Sequence, residues 1–303
     1  MPQRLRRTRR KPTRREPTSM VLARRQKQHA AIVPAQPEPA IMADWRGSAA
    51  TLVGASHLRH APPIPCQDAA DFGIGNKPVL LVADGAGSAK RSHYGAQAVV
   101  EGIKRLIATL ANDYANLLDP VSPPDPAQVH KMALLPVKHA LGILQDLARR
   151  EDHPVSHYRS TLILAIGGRS RWLWLRIGDG ALVVQRHGQL EMIGEAGKGE
   201  FANHTHFVDE TLHPDQVQYG VLDSAGLSGI AAMSDGAAER LVHLGSGQVA
   251  GQMASFMAQA RSGELTPLVL HRFFADEEVW CRTTGDDRAL AVLACQEQMP
   301  VLL

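Results

Sequence analysis

The chain has 303 residues, of which 44% are hydrophobic and 21% charged, and its formal net charge is +3. This composition is typical of a globular protein, and no apolar run approaches the roughly 18 to 20 residues that span a bilayer, so a transmembrane segment is not expected. The three cysteines stand without metal-ligand or disulfide-framework spacing, which favours a reducing, cytoplasmic location.

Charge is distributed unevenly along the chain. Residues 1–40 contain eleven Lys/Arg and two Glu, a formal charge of +9, whereas the remainder carries −6. Because this segment has little apolar surface for a core, we expect residues 1–44 to form a disordered basic tail. Two interpretations stay open: an arm at Arg4–Lys27 that binds nucleic acid or another anionic partner, and a solvated extension upstream of a true start at Met42.

From residue 45 to residue 303 the pattern predicts one folded domain. The first half is read as three strands followed by two long helices, and Pro136 either kinks the second helix or marks its start. The strands are predicted at Ala50–His57, Asp68–Gly75 and Lys77–Asp84, and the helices at Ser92–Ala115 and Val129–Arg149.

The second half returns to strands that glycines punctuate, with three shorter helices before a last buried strand. Groups of strands separated by long helices indicate an α+β fold rather than regular βαβ alternation. The strands are predicted at Ser160–Gly168, Arg171–Gly180, Ala181–Gly188, Ser228–Gly236 and Asp287–Cys295, weaker ones at His204–Asp209 and Gln218–Asp223, and the helices around Ala237–Leu244, Gln248–Ala260 and Leu265–Phe274.

Two pairs of ring side chains stand two residues apart on predicted strands, so the members of each pair share a face. We expect Trp172 and Trp174 to pack beneath a helix. His204 and His206 are expected to be structural or surface residues, because no further Cys/His pair stands at zinc-ligand spacing. Cys66 is expected to be a packed thiol, since no base is evident beside it.

Aspartates recur where predicted strands begin or end, and three of them precede a glycine. A single Asp-Gly pair is an ordinary turn, but five such sites indicate carboxylates that converge. Converging carboxylates need a divalent cation, and all-oxygen ligands favour Mg²⁺ or Mn²⁺ over zinc. Two such ions about 4 Å apart form a site that hydrolyses phosphate esters. These aspartates are Asp68, Asp84, Asp179, Asp235 and the pair Asp286 and Asp287.

In this order the aspartates resemble those of the metal-dependent serine/threonine protein phosphatases of type 2C, and in detail those of a bacterial branch. The stretches "PCQDA", "VADGAGSAKRSHYGA" and "GEFANHTHF" carry the likeness, which extends over about residues 50–294. The resemblance implies a four-layer α-β-β-α sandwich with two central, mainly antiparallel sheets. It also implies hydrolysis of phosphoserine and phosphothreonine in proteins by a water that two Mg²⁺ or Mn²⁺ ions activate.

The resemblance further implies a role for each metal-binding position. Asp84 would bridge both ions, and Gly85 would offer its carbonyl oxygen to one of them. Asp235 and Asp286 would complete the ligands of the second ion. Asp179 would help to bind a third, weaker ion beside Asp235.

The implied catalytic set consists of Arg59, Asp68 and Asp84. Arg59 would grip the substrate phosphate, because a guanidinium matches two phosphate oxygens, and Asp68 would hold a metal-bound water. Gln67, where the family usually has Glu, and Asp287 would lie behind the ligands.

Three departures from the family pattern affect these roles. Nine positions separate Arg59 from Asp68, which is longer than the usual gap, so His57 or Lys90 could share the phosphate role. Ala86 stands where many eukaryotic members carry a histidine that is proposed to protonate the leaving group. Ala289 replaces a common Thr, whose loss should be tolerated.

Two alternatives to the phosphatase stay open: a catalytically weak regulatory or binding module with the same fold, and nucleic-acid binding by the tail, which is compatible with phosphatase activity. The expected partners are a phosphoprotein substrate and a cognate Ser/Thr kinase or its targets, with no membrane. The expected assembly state is a monomer.

Overall fold

The computed structural model describes residues 44–194, 205–243 and 245–296. The predictions for residues 1–43, including the proposed start at Met42, and for His204 fall outside the described residues. Within the described ranges, none of the helices combines the length and the apolar character that crossing a lipid bilayer requires.

Twelve strands occur in the described residues, ten of them in two large sheets. They are β1 (Arg46–Leu52), β2 (Asp68–Gly73), β3 (Val79–Asp84), β4 (Leu162–Gly167), β5 (Arg171–Ile177), β6 (Ala181–Arg186), β7 (Gln189–Ile193), β8 (Gln218–Asp223), β9 (Leu227–Met233), β10 (Val242–His243), β11 (Gln248–Val249) and β12 (Arg288–Ala294).

The helices of the described residues fall into two groups, one between β3 and β4 and one after β9, apart from a single turn that follows β1. They are α1 (Ala55–Leu58), α2 (Ser92–Thr109), α3 (Ala111–Leu118), α4 (Pro126–Glu151), α5 (Asp235–Leu241), α6 (Gly251–Ser262), α7 (Pro267–Phe274) and α8 (Glu277–Trp280).

The two large sheets are five-stranded, with the orders β1-β12-β9-β6-β7 and β2-β3-β4-β5-β8. Every strand pairing in them is antiparallel. This confirms the α+β class and the two central antiparallel sheets.

Alternating side chains of β3 show how the layers form. Leu80 and Val82 belong to the core between the two sheets, whereas Leu81 and Ala83 belong to the core under α2 and α4. A third core joins the other sheet to α5, α6 and α7. Because successive side chains of a strand point to opposite faces, strands that are apolar on both faces must be covered on both sides. The result is the expected order of layers, α-β-β-α.

The prediction for Trp172 was wrong. This side chain is fully buried between the two sheets, where its ring meets the Trp45 ring edge-on with centroids 4.8 Å apart. Trp174 packs against the same inter-sheet core. The sequence pattern showed that the pair shares a face, but both faces of this sheet are covered, so the pattern could not distinguish a helix from a second sheet.

Several boundaries differ from the predictions. The first strand ends at Leu52, and the predicted residues up to His57 instead include the short helix α1. Pro136 lies inside α4, so it does not mark the start of this helix; α4 begins at Pro126, where the carboxylate of Asp125 accepts a hydrogen bond from the Ala127 N–H. Of the predicted strand at His204–Asp209, the described part contributes only a bridge from Val208 to Ser160. β7 was not predicted.

Removal of a buried side chain from the inter-sheet core should destabilise the fold that carries the strand ends. Leu80→Ala should cost about 2–5 kcal/mol in the free energy of unfolding, because Leu80 is fully buried and the substitution leaves a cavity. Leu268→Ala, at a position that is 57% exposed, is the matched control and should cost less than about 1 kcal/mol. Urea denaturation measures both, and equal losses would contradict the assigned core.

Candidate metal centre

The strand pair β2 and β3 places two carboxylates directly across from each other. Asp68 and Asp84 are register partners at the end of this antiparallel pair. Directly opposed residues share a face of the sheet, and like charges at such positions repel. Asp68 is 9% exposed, and its Oδ2 atom is buried without a hydrogen-bond partner in the described part of the chain. Two adjacent strands therefore bring two predicted site residues together.

Two more aspartates join Asp84 from the ends of other strands. Asp179 lies in the turn between β5 and β6, and Asp235 begins α5 directly after β9. Asp84, Asp179 and Asp235 each offer a carboxylate oxygen, and these oxygens lie within 4.8 Å of one another. The strand ends thus converge as the sequence predicted.

Burial and mutual repulsion make this cluster resist ionisation. Burial, followed by the charges of Asp68 and Asp235, raises the pKa of Asp84 well above its usual range. Burial, followed by the charges of Asp179 and Asp286, raises the pKa of Asp235 to about 6. Burial is also the largest cause of the raised pKa of Asp68, and a hydrogen bond from Ser234 offsets part of it.

The carboxylate of Asp287 joins three segments of the chain. One oxygen accepts a hydrogen bond from the Gly54 N–H at 2.6 Å. The other accepts bonds from the Gln67 N–H at 2.6 Å and from Nδ1 of His57 at 2.9 Å. Asp287 is 2% exposed, so its negative charge is stabilised almost entirely by these donors. The role of Asp287 behind bound ligands stays a prediction.

Asp286, which directly precedes Asp287 in the chain, is half-exposed and has different partners. Its Oδ1 accepts a hydrogen bond from the Asp287 N–H and lies 3.7 Å from Nε2 of His57. Its charge contributes to the raised pKa of both Asp84 and Asp235. Asp286 is therefore a fifth carboxylate whose charge acts on the cluster.

The backbone of Gln67 links the Asp287 carboxylate to the end of β3. Its N–H donates to Asp287, and its carbonyl oxygen accepts a hydrogen bond from the Gly85 N–H at 3.0 Å. One peptide segment thus holds the start of β12 and the end of β3 at a fixed separation. A role of the Gln67 side chain toward a bound water stays a prediction.

Two of the glycines that follow aspartates are required by close backbone contacts. A Cβ atom on Gly236 would lie 2.1 Å from the Asp287 carbonyl oxygen, and one on Gly85 would lie 2.8 Å from the Gln67 carbonyl oxygen. Both distances are far inside van der Waals contact. Glycine at these positions lets α5 and the chain after β3 approach the residues that hold the centre.

This donor set fits a hard divalent cation. It consists of carboxylate oxygens, it includes the unpartnered Oδ2 atom of Asp68, and its members repel one another in the absence of a counter-charge. His57 lies with Asp286 and Asp287 in a second group, but the Asp287 oxygens already accept three hydrogen bonds. The aspartate cluster is therefore the candidate metal centre.

The predicted phosphate ligand Arg59 is the residue that follows α1 in the chain. It is exposed at the end of α1 and lines a cavity of about 520 Å³ formed with residues of α7, α8 and the chain to Gly285. Lys90 is exposed as well. The phosphate role of Arg59 stays a prediction. Cys66 matches the packed-thiol interpretation, because burial raises the pKa of its thiol to about 12.

Two supporting hydroxyls were not identified from the sequence. Thr161 accepts a hydrogen bond from the Asp84 N–H at 2.9 Å, and its own N–H donates to the Asp84 carbonyl oxygen at 2.7 Å. Thr205 donates to Oδ2 of Asp179 at 2.6 Å. The position of Thr161 near the start of the strand predicted at Ser160–Gly168 was one available signal, and the stretch "GEFANHTHF", which includes Thr205, was the other.

Comparison with known families decides the relationship. The family described as "Protein phosphatase 2C" matches residues 53–267, which is well over half of the chain. The chain belongs to this family. A similar protein, "Serine/threonine-protein phosphatase 3" of Escherichia coli (strain K12), is 30% identical over 176 residues, which cover 55% of this chain and 63% of that protein. The chain thus matches less than two thirds of the length of that relative.

Solved structures confirm the fold of this 2C-family chain. Stp1, a serine/threonine phosphatase from Staphylococcus aureus, superposes with a TM-score of 0.54 and 13% identity over 84% of this chain and 96% of that one. PppA of Pseudomonas aeruginosa, described as a key regulatory component of T6SS, gives a TM-score of 0.54 and 18% identity over 83% and 97% of the two chains.

The raised carboxyl pKa values predict an unusual pH dependence for the metal-free protein. A carboxyl whose pKa is higher in the folded than in the unfolded state binds more protons when folded, so stability falls as pH rises through that window. For Asp235 the window runs from about 4 to about 6 and corresponds to roughly 2 to 3 kcal/mol.

Thermal melts in EDTA between pH 4.5 and 8 test this dependence. The wild type should melt at lower temperature as pH rises, and Asp235→Asn should show a weaker dependence because it removes one of the repelling charges. Adding Mn²⁺ at neutral pH should restore stability to the wild type. Identical pH profiles for the two proteins would contradict the assigned repulsion.

Alanine substitution should destabilise the protein far more at Asp287 than at its neighbour Asp286. Asp287→Ala leaves buried N–H groups without an acceptor and should cost at least about 2 kcal/mol in the free energy of unfolding. Asp286→Ala removes a half-exposed, repelling charge and should change the stability of the metal-free protein by less than about 1 kcal/mol. Urea denaturation in EDTA measures both variants. Equal losses in the free energy of unfolding would show that the hydrogen bonds to Asp287 do not hold these segments together.

Proposed function

We propose that this chain hydrolyses phosphoserine and phosphothreonine in proteins with the help of divalent cations. The observation that supports this most strongly is the convergence of Asp84, Asp179 and Asp235 at the ends of three strands in a chain of the 2C phosphatase family. The 30% identical relative named as a serine/threonine phosphatase points to the same substrate class.

In this proposal Asp84 would bind both ions and the Gly85 carbonyl oxygen would bind one of them. Asp235 and Asp286 would complete the ligands of the second ion, and Asp179 would help to bind a third. Mg²⁺ or Mn²⁺, when bound there, would supply positive charge for the phosphoryl oxygens and lower the pKa of a water. The protein's own contribution is to fix the ligands. Thr161 holds the end of β3, and Asp287 links the start of β12 to the backbone of Gly54 and Gln67.

Asp68 is suited to orient the attacking water. Its unpartnered Oδ2 atom can accept a hydrogen bond from that water and take up its proton as the water attacks. Attack of water oxygen on phosphorus breaks the bond to the serine or threonine oxygen, with no phosphoenzyme. Ala86 offers no proton for the departing oxygen, so we propose that solvent supplies it.

The alternative of a catalytically weak binding module has less support. It would be favoured by loss of the site carboxylates, yet Asp68, Asp84, Asp179 and Asp235 are present and clustered. A cognate kinase, a monomeric state and nucleic-acid binding by the basic tail remain predictions. Deletion of residues 1–40 with measurement of salt-dependent DNA binding tests the last of these.

Hydrolysis of p-nitrophenyl phosphate tests the proposed activity. The wild type should turn over this substrate with Mn²⁺ or Mg²⁺ and lose turnover in EDTA. Asp84→Asn should lower kcat at least about 100-fold, because the bridging carboxylate is lost. Asp113→Asn, on the exposed face of α3, is the matched control and should retain full activity.

Calorimetric titration with Mn²⁺ separates the two functional classes. The wild type should bind the ion, and Asp84→Asn should bind it at least about 10-fold more weakly. Equal turnover in wild type and Asp84→Asn, or no turnover in either, would count against the phosphatase. Metal binding without turnover of any phosphoester would favour the binding module.

A further inference from the structure

An open cavity of about 450 Å³ adjoins the candidate metal centre without containing its metal ligands. Its lining comes from Arg159, just before β4, and from the chain between Thr205 and Gln216. Thr205 connects the two regions, since it lines the cavity while its hydroxyl donates to Asp179. A volume of this size accommodates an amino-acid side chain.

Arg159 is held beside the loop that follows the bridging aspartate. Its carbonyl oxygen accepts a hydrogen bond from the Ala86 N–H at 3.1 Å, and its Nη2 donates to the Ser88 hydroxyl at 2.8 Å. The guanidinium lies over the Phe207 ring at 5.1 Å from the centroid. These contacts hold the Arg159 guanidinium on the wall of the cavity, against residues that closely follow Asp84 in the chain.

The guanidinium of Arg159 is only partly neutralised. The nearest described carboxylate, Asp209, lies 3.9 Å from Nη1, which is too long for a hydrogen bond. The Oδ1 atom of Asp209 is engaged by the N–H and the hydroxyl of Thr211, at 2.8 Å and 2.7 Å. The Nε atom of Arg159 is buried without a hydrogen-bond partner among the described residues. A guanidinium with unused donors is suited to bind a carboxylate.

The neighbouring chain forms a defined wall rather than a loose rim. The Val208 N–H donates to the Ser160 carbonyl oxygen at 2.8 Å, so the segment from Thr205 to Asp209 is bonded to the residue that follows Arg159. The cavity is therefore built from two segments in fixed register.

We propose that this cavity is a specificity site for an acidic side chain next to the phosphorylated residue of the substrate, with Arg159 as its carboxylate ligand. The inference rests on the proposed phosphatase function. The hydrolysed phosphate itself belongs at the aspartate cluster, because Asp84, Asp235 and Asp286 do not line the cavity. The acidic group that Arg159 binds is therefore a separate part of the substrate.

Three substrates separate recognition from catalysis: p-nitrophenyl phosphate, a phosphoserine peptide with Glu on both sides of the phosphoserine, and the same peptide with Gln at those positions. The wild type should have a KM at least about 10-fold lower for the Glu peptide than for the Gln peptide. Arg159→Ala should abolish this preference and leave the KM for p-nitrophenyl phosphate within about twofold.

Two further variants control for charge and folding. Arg159→Lys keeps the positive charge but loses the planar, two-pronged guanidinium, so it should retain only part of the preference for the Glu peptide. If Arg159→Ala does not fold, this lysine variant provides the test. Arg149→Ala removes an arginine that is exposed on α4 and should keep the full preference.

The outcomes are distinguishable. A wild type that hydrolyses p-nitrophenyl phosphate but shows no peptide preference would overturn the specificity site and leave the proposed function intact. If Arg159→Ala instead raises both the KM for p-nitrophenyl phosphate and the inhibition constant of inorganic phosphate relative to the wild type, Arg159 binds the hydrolysed phosphate and the specificity site is overturned. Absence of turnover on all three substrates would overturn the proposed function and this inference with it.

Discussion

The buried carboxylate of Asp287 accepts hydrogen bonds from Gly54, His57 and Gln67, and the candidate centre depends on this arrangement. The three donors come from the chain after β1 and the chain before β2, while Asp287 itself precedes β12. The strands β1 and β12 lie in one sheet of the sandwich, and β2 lies in the other. A charge without water around it requires such donors, so the need to stabilise one carboxylate also aligns the two sheets at the edge where the other carboxylates lie.

The remaining aspartates illustrate the opposite situation. Asp68, Asp84 and Asp235 are placed by strand register and strand ends, and their burial raises their pKa values because hydrogen-bond donors offset only part of its effect. The antiparallel sheets are apolar on both faces and rigid, so these carboxylates cannot move apart to relieve repulsion. The fold thus holds a set of charges that a divalent cation would stabilise, and the metal-free state bears the cost.

Much of this organisation was predictable from the sequence because it rests on local patterns. Apolar runs located nearly all the sheet strands, and aspartates at their ends located the carboxylate cluster, since strand ends are visible in sequence. Contacts between distant segments were not visible. Trp172 was assigned beneath a helix because periodicity identifies a buried face and not its partner, and β1 was extended too far because the bond from Gly54 to Asp287 spans more than two hundred residues. The role of Arg59 in phosphate binding and the ion-by-ion assignments remain predictions, because they depend on groups that chain geometry alone does not supply.

The backbone at Gly236 lies close to the Asp287 carbonyl oxygen. The two residues of the Asp235-Gly236 motif are therefore under different constraints. The aspartate of the Asp-Gly pair belongs to the carboxylate cluster, whereas the glycine allows close packing and is needed whether or not the protein turns over a substrate. A relative that has abandoned catalysis would therefore be free to lose Asp235 while natural selection for a folded chain still preserved Gly236. Among such sequences, the glycines would indicate a shared fold, and only the carboxylates would indicate whether the site is retained.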